Sequence, residues 1–335
     1  MRRYGMGILL AALAPALACA ADSIHIASSS TVAPFVSAAA EQFGRGSGFE
    51  TPVVESIGSG GGFKLFCASL ADGSPDIAGA SRRITGSETE SCAAAGVTDI
   101  VEITLGFDGI VVAGAKTGRS LALSERDLFL AIARTVPVNG KLVPNPYRRW
   151  HEIDPALPHD PIMMFGPAPN HGTRDLLAEL VMSEACQAFP EFAVLDAAAR
   201  RIACQSVRED GAFVEVTADY STILRKLEAE PAALGILPFG YLDRNRDKIR
   251  AASFEGRLPS YDAIYDGSYP LSRPLYVYVK KAHLQTTRGI PEFLAELTSD
   301  KAAGGEGYLT EIGLVPLPND LRKAEQERAR SFPSR

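Results

Sequence analysis

Three turns in this chain place small polar residues directly before a helical stretch. They are Ser28-Ser29-Ser30-Thr31-Val32, Gly58-Ser59-Gly60-Gly61-Gly62 and His171-Gly172-Thr173-Arg174. The start of a helix presents unpaired backbone N–H groups and a partial positive charge, which together suit an oxyanion. Glycine in the second turn lets the backbone approach an oxygen closely. Any one of these turns alone reads as a plain helix cap. Three in one chain point to anion binding. The complementary charge is arginine, whose planar fork can make two contacts to one oxyanion. Ser81-Arg82-Arg83 follows the apolar run at Ile77 directly, and Arg174 opens its own helix. Alternation turns Arg82 inward and Arg83 toward solvent.

Other chemistries lack their residues. No GxSxG elbow occurs, and the glycine-rich turn lacks the GK[ST] of a phosphate-binding P-loop. His151, His159 and His283 show no metal-ligand spacing, and no Cys/His cluster has the spacing of a zinc site. The expectation is a binding protein rather than an enzyme, with no cofactor and no metal. Net charge is −6 with both signs mixed along the chain, so no basic stripe for nucleic acid is present. An anion must therefore be attracted locally.

The elements that position these turns alternate, as in a parallel α/β architecture. Strands are predicted at 24–27, 53–57, 77–80, 101–103, 110–113, 163–165, 233–237 and 275–279. Helices are predicted at 33–43, 63–71, after a Ser124 cap, at 170–182 and at 291–314. The segment 143–160, rich in proline and aromatics, is expected to wrap the surface. The charged stretch from Asp320 onward reads as a solvated helix or a frayed end.

The first 20 residues read as a signal peptide. Arg2 and Arg3 form a basic start, residues 8–18 are nearly all apolar, and Ala18-Cys19-Ala20 offers a small-x-small cleavage site. The apolar run is shorter than the ~20 residues that span a membrane. Arg2-Arg3 also leaves twin-arginine export open, and Cys19 leaves a lipid-anchored form open. Cys67, Cys92, Cys186 and Cys204 then remain, an even count suited to disulfides in an exported chain. Pairing neighbours gives Cys67–Cys92 and Cys186–Cys204, each worth roughly 3 kcal/mol in the chain-entropy model. A mature chain of this length exceeds what one core usually supports, so two lobes are expected.

The motifs also resemble, in order, those of the phosphate-binding receptors of ABC-type phosphate uptake systems. They are Ser-Ser-Ser-Thr-Val (28–32), Ile-Gly-Ser-Gly-Gly-Gly-Phe-Lys (57–64), Asp-Ile-Ala-Gly-Ala-Ser-Arg-Arg (76–83) and Gly-Phe-Asp-Gly-Ile-Val-Val (106–112). Gly-Thr-Arg-Asp (172–175), Tyr-Pro-Leu-Ser-Arg-Pro-Leu-Tyr (269–276) and Gly-Leu-Val-Pro-Leu-Pro (313–318) complete the set, which runs across nearly the whole mature chain. The resemblance implies a type II periplasmic binding protein fold, two α/β lobes joined by two hinge strands with the ligand in the cleft. It places lobe 1 at 21–112 plus 281–335 and lobe 2 at 113–280, with crossings near 111–116 and 276–281. It implies a monomeric periplasmic receptor that hands inorganic phosphate to an inner-membrane permease and ATPase. The ligand set carried over is Ser30, Thr31, Val32, Ser59, Ser81, Arg82, His171, Gly172, Thr173 and Arg174.

Three positions depart from that pattern. Some relatives carry an aspartate where Ser81 stands, and it accepts the proton of hydrogen phosphate, which sulfate lacks. Asp108 is the substitute acceptor here, or else it caps a turn. His171 stands where serine is usual and either donates to the anion with pH sensitivity or blocks that contact. Pro167 occupies a place where some relatives have arginine. Arsenate, sulfate or molybdate remain alternative ligands, and sensing or secretion remains the alternative to transport.

Overall fold

The structure is a computed structural model that describes residues 23–169, 172–216 and 220–332. The expected signal peptide, Cys19 and His171 lie outside the described residues.

One strand organises the chain. The strands β1 (His25–Ser28), β2 (Val53–Ser56) and β3 (Ile77–Ala80) are followed by β4, which runs unbroken from Ile100 to Ala115. After it come β5 (Met164–Pro167), β6 (Phe213–Val216), β7 (Leu234–Pro238), β8 (Ile249–Ala251) and β9 (Ser272–Lys280). β1 lies between β2 and β3 with parallel pairing, and β9 joins β3 to the first part of β4 antiparallel on both sides. At Gly109–Ile110 the partner changes. From Ile110 onward β4 pairs with β7, and near its end with β8, both antiparallel. β7, β5 and β6 then continue in parallel.

The result is the two-lobed α/β fold, with β4 running through both halves. The strands expected at 101–103 and 110–113 are therefore one element. Gly106, between the two predicted stretches, is a packing requirement. A Cβ there would sit 2.7 Å from the Val315 carbonyl oxygen, where the C-terminal segment pairs with Phe107. Residues 272–280, expected in lobe 2, differ also: they are hydrogen-bonded along their length to β3 and the first part of β4.

Each half has its own core. α1 (Ala33–Gly46) packs Phe35, Val36 and Phe43 with Phe293 and Leu294 behind the first sheet, while Phe63, Phe66 and Tyr278 fill the other face. In the second half, Trp150, Phe129, Met164 and Leu176 are among a single large buried cluster. Trp150 is fully buried, so the proline-rich segment 143–160 is anchored rather than draped. Burying a residue of that size contributes on the order of 3 kcal/mol.

Both expected disulfides are present, Cys67–Cys92 and Cys186–Cys204. The helix predicted over 291–314 is three short helices, Ile290–Leu297, Asp300–Ala303 and Tyr308–Glu311. Gly304 separates the second from the third, since a Cβ there would meet the Asp300 carbonyl oxygen at 2.3 Å. The charged tail forms a helix over Asn319–Arg330.

Candidate functional site

The turn between β1 and α1 is held rigidly. Ser29 N donates to the Gly79 carbonyl at 2.8 Å, and Ser29 Oγ accepts from Val32 N at 3.1 Å. The Val32 amide is thus capped from within its own turn. Thr31 is buried, and its Oγ1 accepts from Arg273 Nη2 at 2.5 Å. Burial pushes the Asp175 carboxyl above its ordinary range, with the nearby Ser30 side chain opposing that shift.

The glycine-rich turn is already helix. α2 spans Ser59–Phe66 and starts after Gly58, whose φ of 80° favours glycine. Gly62 lets α2 lie against β1, where a Cβ would be 3.1 Å from the Ala27 carbonyl oxygen. Ser59 Oγ accepts from Ser81 N at 3.2 Å and stands 3.3 Å from Ser81 Oγ. These two expected residues meet.

From the second lobe, α3 (Gly172–Leu177) brings Thr173 and Arg174. Thr173 Oγ1 is 2.6 Å from Tyr220 Oη. Burial pushes the Tyr220 hydroxyl up to about 12, so it stays protonated and can donate. Thr31, Asp108, Gly172, Thr173 and Tyr220 all line one cavity of about 400 Å³ between the lobes, closed on one side by Glu311 to Gly313. A larger hollow, about 580 Å³, adjoins Cys186–Cys204 and shares no lining residue with it.

Asp108 does not cap a turn. It sits within β4, nearly buried, directly opposite Arg273 of β9. Loss of hydration lifts its carboxyl group to about 6, against the pull of Arg273 and of the Gly109 amide; the Glu179 and Asp175 carboxylates push the same way as burial.

The two arginines expected to face the ligand are both engaged elsewhere. Arg82 makes a two-pronged contact with Glu88, at 2.8 and 2.7 Å, and lies over the Phe63 ring. That pairing holds the Glu88 carboxyl at about 2, well below its usual range. Arg83 points outward toward Glu102 and Tyr276. Arg174 pairs with Glu215 at 3.0 Å beneath the Phe213 ring. Arg273, by contrast, was given no role by sequence reasoning although it lies in the motif at 269–276. The available signal was its place in the Ser-Arg-Pro of that motif, two residues before the strand predicted at 275–279.

A model of the PBP superfamily domain matches residues 14–301. The chain belongs to that superfamily. Among curated relatives, Protein SphX of Synechococcus elongatus is 25% identical over 312 residues, covering 90% of this chain and 80% of its own length. The phosphate-binding protein PstS of Staphylococcus saprophyticus is 26% identical over 305 residues, covering 90% of this chain and 82% of its own. Among solved structures, a possible phosphate binding protein from Planctomyces limnophilus superposes with a TM-score of 0.71 at 25% identity, covering 92% of this chain and 98% of that one. An ABC-type phosphate transport receptor from Vibrio cholerae shares the fold, with a TM-score of 0.56 at 21% identity over 88% of this chain and all of that one.

This member of the PBP superfamily therefore has its cleft where the two halves meet around β4. Among the described residues no group of three or more His, Cys, Asp or Glu could hold a metal ion, and no helix is long and apolar enough to cross a membrane.

Proposed function

We propose that this chain is an extracytoplasmic receptor that binds inorganic phosphate between its lobes and passes it to an ABC-type importer. One observation carries the reading: hydroxyl donors from both lobes, Thr31 on one side and Thr173 and Tyr220 on the other, converge with Asp108 on a single cavity. Each hydroxyl can donate to an oxyanion, and Asp108 is the group that separates a protonated oxyanion from sulfate. As a carboxylate it accepts the proton of hydrogen phosphate and repels an ion that has none.

In this reading Ser30 and Val32 complete the first-lobe wall, the Val32 amide turning to the anion from its bond with Ser29 Oγ. Ser59 and Ser81 reach the anion as a pair, with Gly172 on the opposite side; His171, outside the described residues, is kept as a ligand on its sequence position. Arg82 and Arg174 shape the local field from behind their carboxylate partners. The lobes meet where β4 changes partners at Gly109–Ile110, with the return crossing just before Ser272. Residues 1–20 direct export and are removed. Similarity to the phosphate-binding protein PstS of Staphylococcus saprophyticus and to the possible phosphate binding protein of Planctomyces limnophilus supports phosphate as the ligand.

Titration calorimetry with phosphate and sulfate at pH 7.5 tests the assignment. Phosphate is expected to bind at least a hundredfold more tightly than sulfate. Equal affinity for the two would overturn it.

A further inference from the structure

Arg273 is hydrogen-bonded to a cleft hydroxyl, and its pairing differs in kind from that of Arg82 and Arg174. Its Nη2 donates to Thr31 Oγ1, which lines the cavity, and its Nη1 donates to Glu179 Oε2. Its Nε is buried with no hydrogen-bond partner. The side chain is 12% exposed, whereas Glu179 is 48% exposed. A buried Nε–H left without an acceptor is costly, so a further acceptor is expected to approach this largely buried guanidinium. The carboxylate it now holds stands half in water, where an ion pair contributes little and is readily given up.

Glu179 lies on a π-helical turn over Ala178–Ser183 that interrupts the helix continuing from α3. Such turns loosen the backbone ladder and recur at functional sites. The pair also crosses the cleft, because Arg273 belongs to the first sheet and Glu179 to the second half of the chain.

We propose that Arg273 is the principal cationic ligand of the bound oxyanion, and that Glu179 is a built-in carboxylate stand-in which the anion displaces. The inference rests on the oxyanion-receptor reading above and adds the charge which that reading lacked. An oxyanion seated among Thr31, Thr173 and Tyr220 takes the guanidinium's forked donors, two bonds from one planar group. Glu179 is then freed to solvent. The carboxylate keeps the buried guanidinium paired when no anion is bound, and its competition weakens binding by the free energy needed to move it aside.

Calorimetry with inorganic phosphate on the full chain separates the parts, with far-UV circular dichroism as the check on folding. Arg273→Gln is expected to weaken phosphate at least thirtyfold, and Arg273→Lys, which keeps charge but loses the fork, about tenfold. Glu179→Gln is expected to tighten phosphate about threefold or more, because the competitor is lost. Wild-type protein that binds no tetrahedral oxyanion at all overturns the receptor reading, and this assignment with it. Wild-type binding together with Arg273→Gln within twofold of wild type overturns this assignment alone. Should Arg273→Gln fail to fold, Glu179→Gln decides: unchanged or weaker phosphate binding overturns the stand-in role.

Discussion

Asp108 and Arg273 face each other in register across β4 and β9, so an acid with a raised pKa that lines the cleft cavity stands opposite a largely buried arginine that bonds Thr31. The first prediction concerns selectivity. Above about pH 6 Asp108 is a carboxylate and discriminates against an unprotonated anion; below it the protonated acid can donate to sulfate. The phosphate-over-sulfate ratio should therefore fall as pH drops from 7.5 to 5. Asp108→Asn should flatten that profile, leaving a ratio within about threefold of constant. Competition calorimetry at several pH values checks both.

The same carboxyl group carries a stability signature. Its folded pKa, about 6, is raised above its usual 3.8. Between those values the folded state holds a proton that the unfolded state has lost, so stability falls as pH rises through that window and is level above it. The contribution is on the order of 3 kcal/mol, and Asp108→Asn should remove it. Urea unfolding of both proteins at pH 4 and 7 measures the difference; a variant equally or less stable at pH 7 in a ligand-free sample contradicts the shift.

Gly79→Ala tests the seat of the first turn. An added Cβ would lie 2.4 Å from Ser28 Oγ and 2.9 Å from Val32 Cγ1. Those atoms must move, at a cost of about 1–3 kcal/mol, and they carry Thr31 with them. A lowered Tm with phosphate affinity reduced tenfold or more is expected in the purified variant.

Asp76 should behave as a structural acid. It is buried and accepts from His25 N at 2.8 Å and Thr287 Oγ1 at 2.8 Å, with His283 Nδ1 2.6 Å away. Asp76→Ala leaves these groups unpaired and should cost about 3 kcal/mol or more. Its effect belongs in denaturant midpoints, while phosphate affinity of the folded fraction stays within a few-fold.

Removing the second disulfide should separate stability from binding as well. Cys186–Cys204 closes a separation of 18 residues, and Cys186→Ser with Cys204→Ser should cost about 2–4 kcal/mol. Neither cysteine lines the cleft cavity, so calorimetry should return near wild-type phosphate affinity below the melting point.

Much of the fold was readable because it depends on local pattern. The β3 strand at 77–80 and the Ser124 cap, which accepts from Asp127 N, stand where the residues put them. Both disulfides joined sequence neighbours. Residues 104–109 lie inside one strand rather than between two, and Gly106 stands among them because the backbone of the distant Val315 approaches it closely.

By itself the sequence determined the strand–turn–helix units, the cysteine pairing and the hydroxyls offered at each turn, because each follows from residues close together in the chain. Only the tertiary structure decided which arginine meets a cleft hydroxyl and which are held by carboxylates. Arg82 and Arg174 look free in sequence, but Glu88 and Glu215 reach them in space. Arg273 looked incidental until strand pairing set it against Asp108 and beneath Thr31. Charge pairing acts through distance in space, which chain order does not encode.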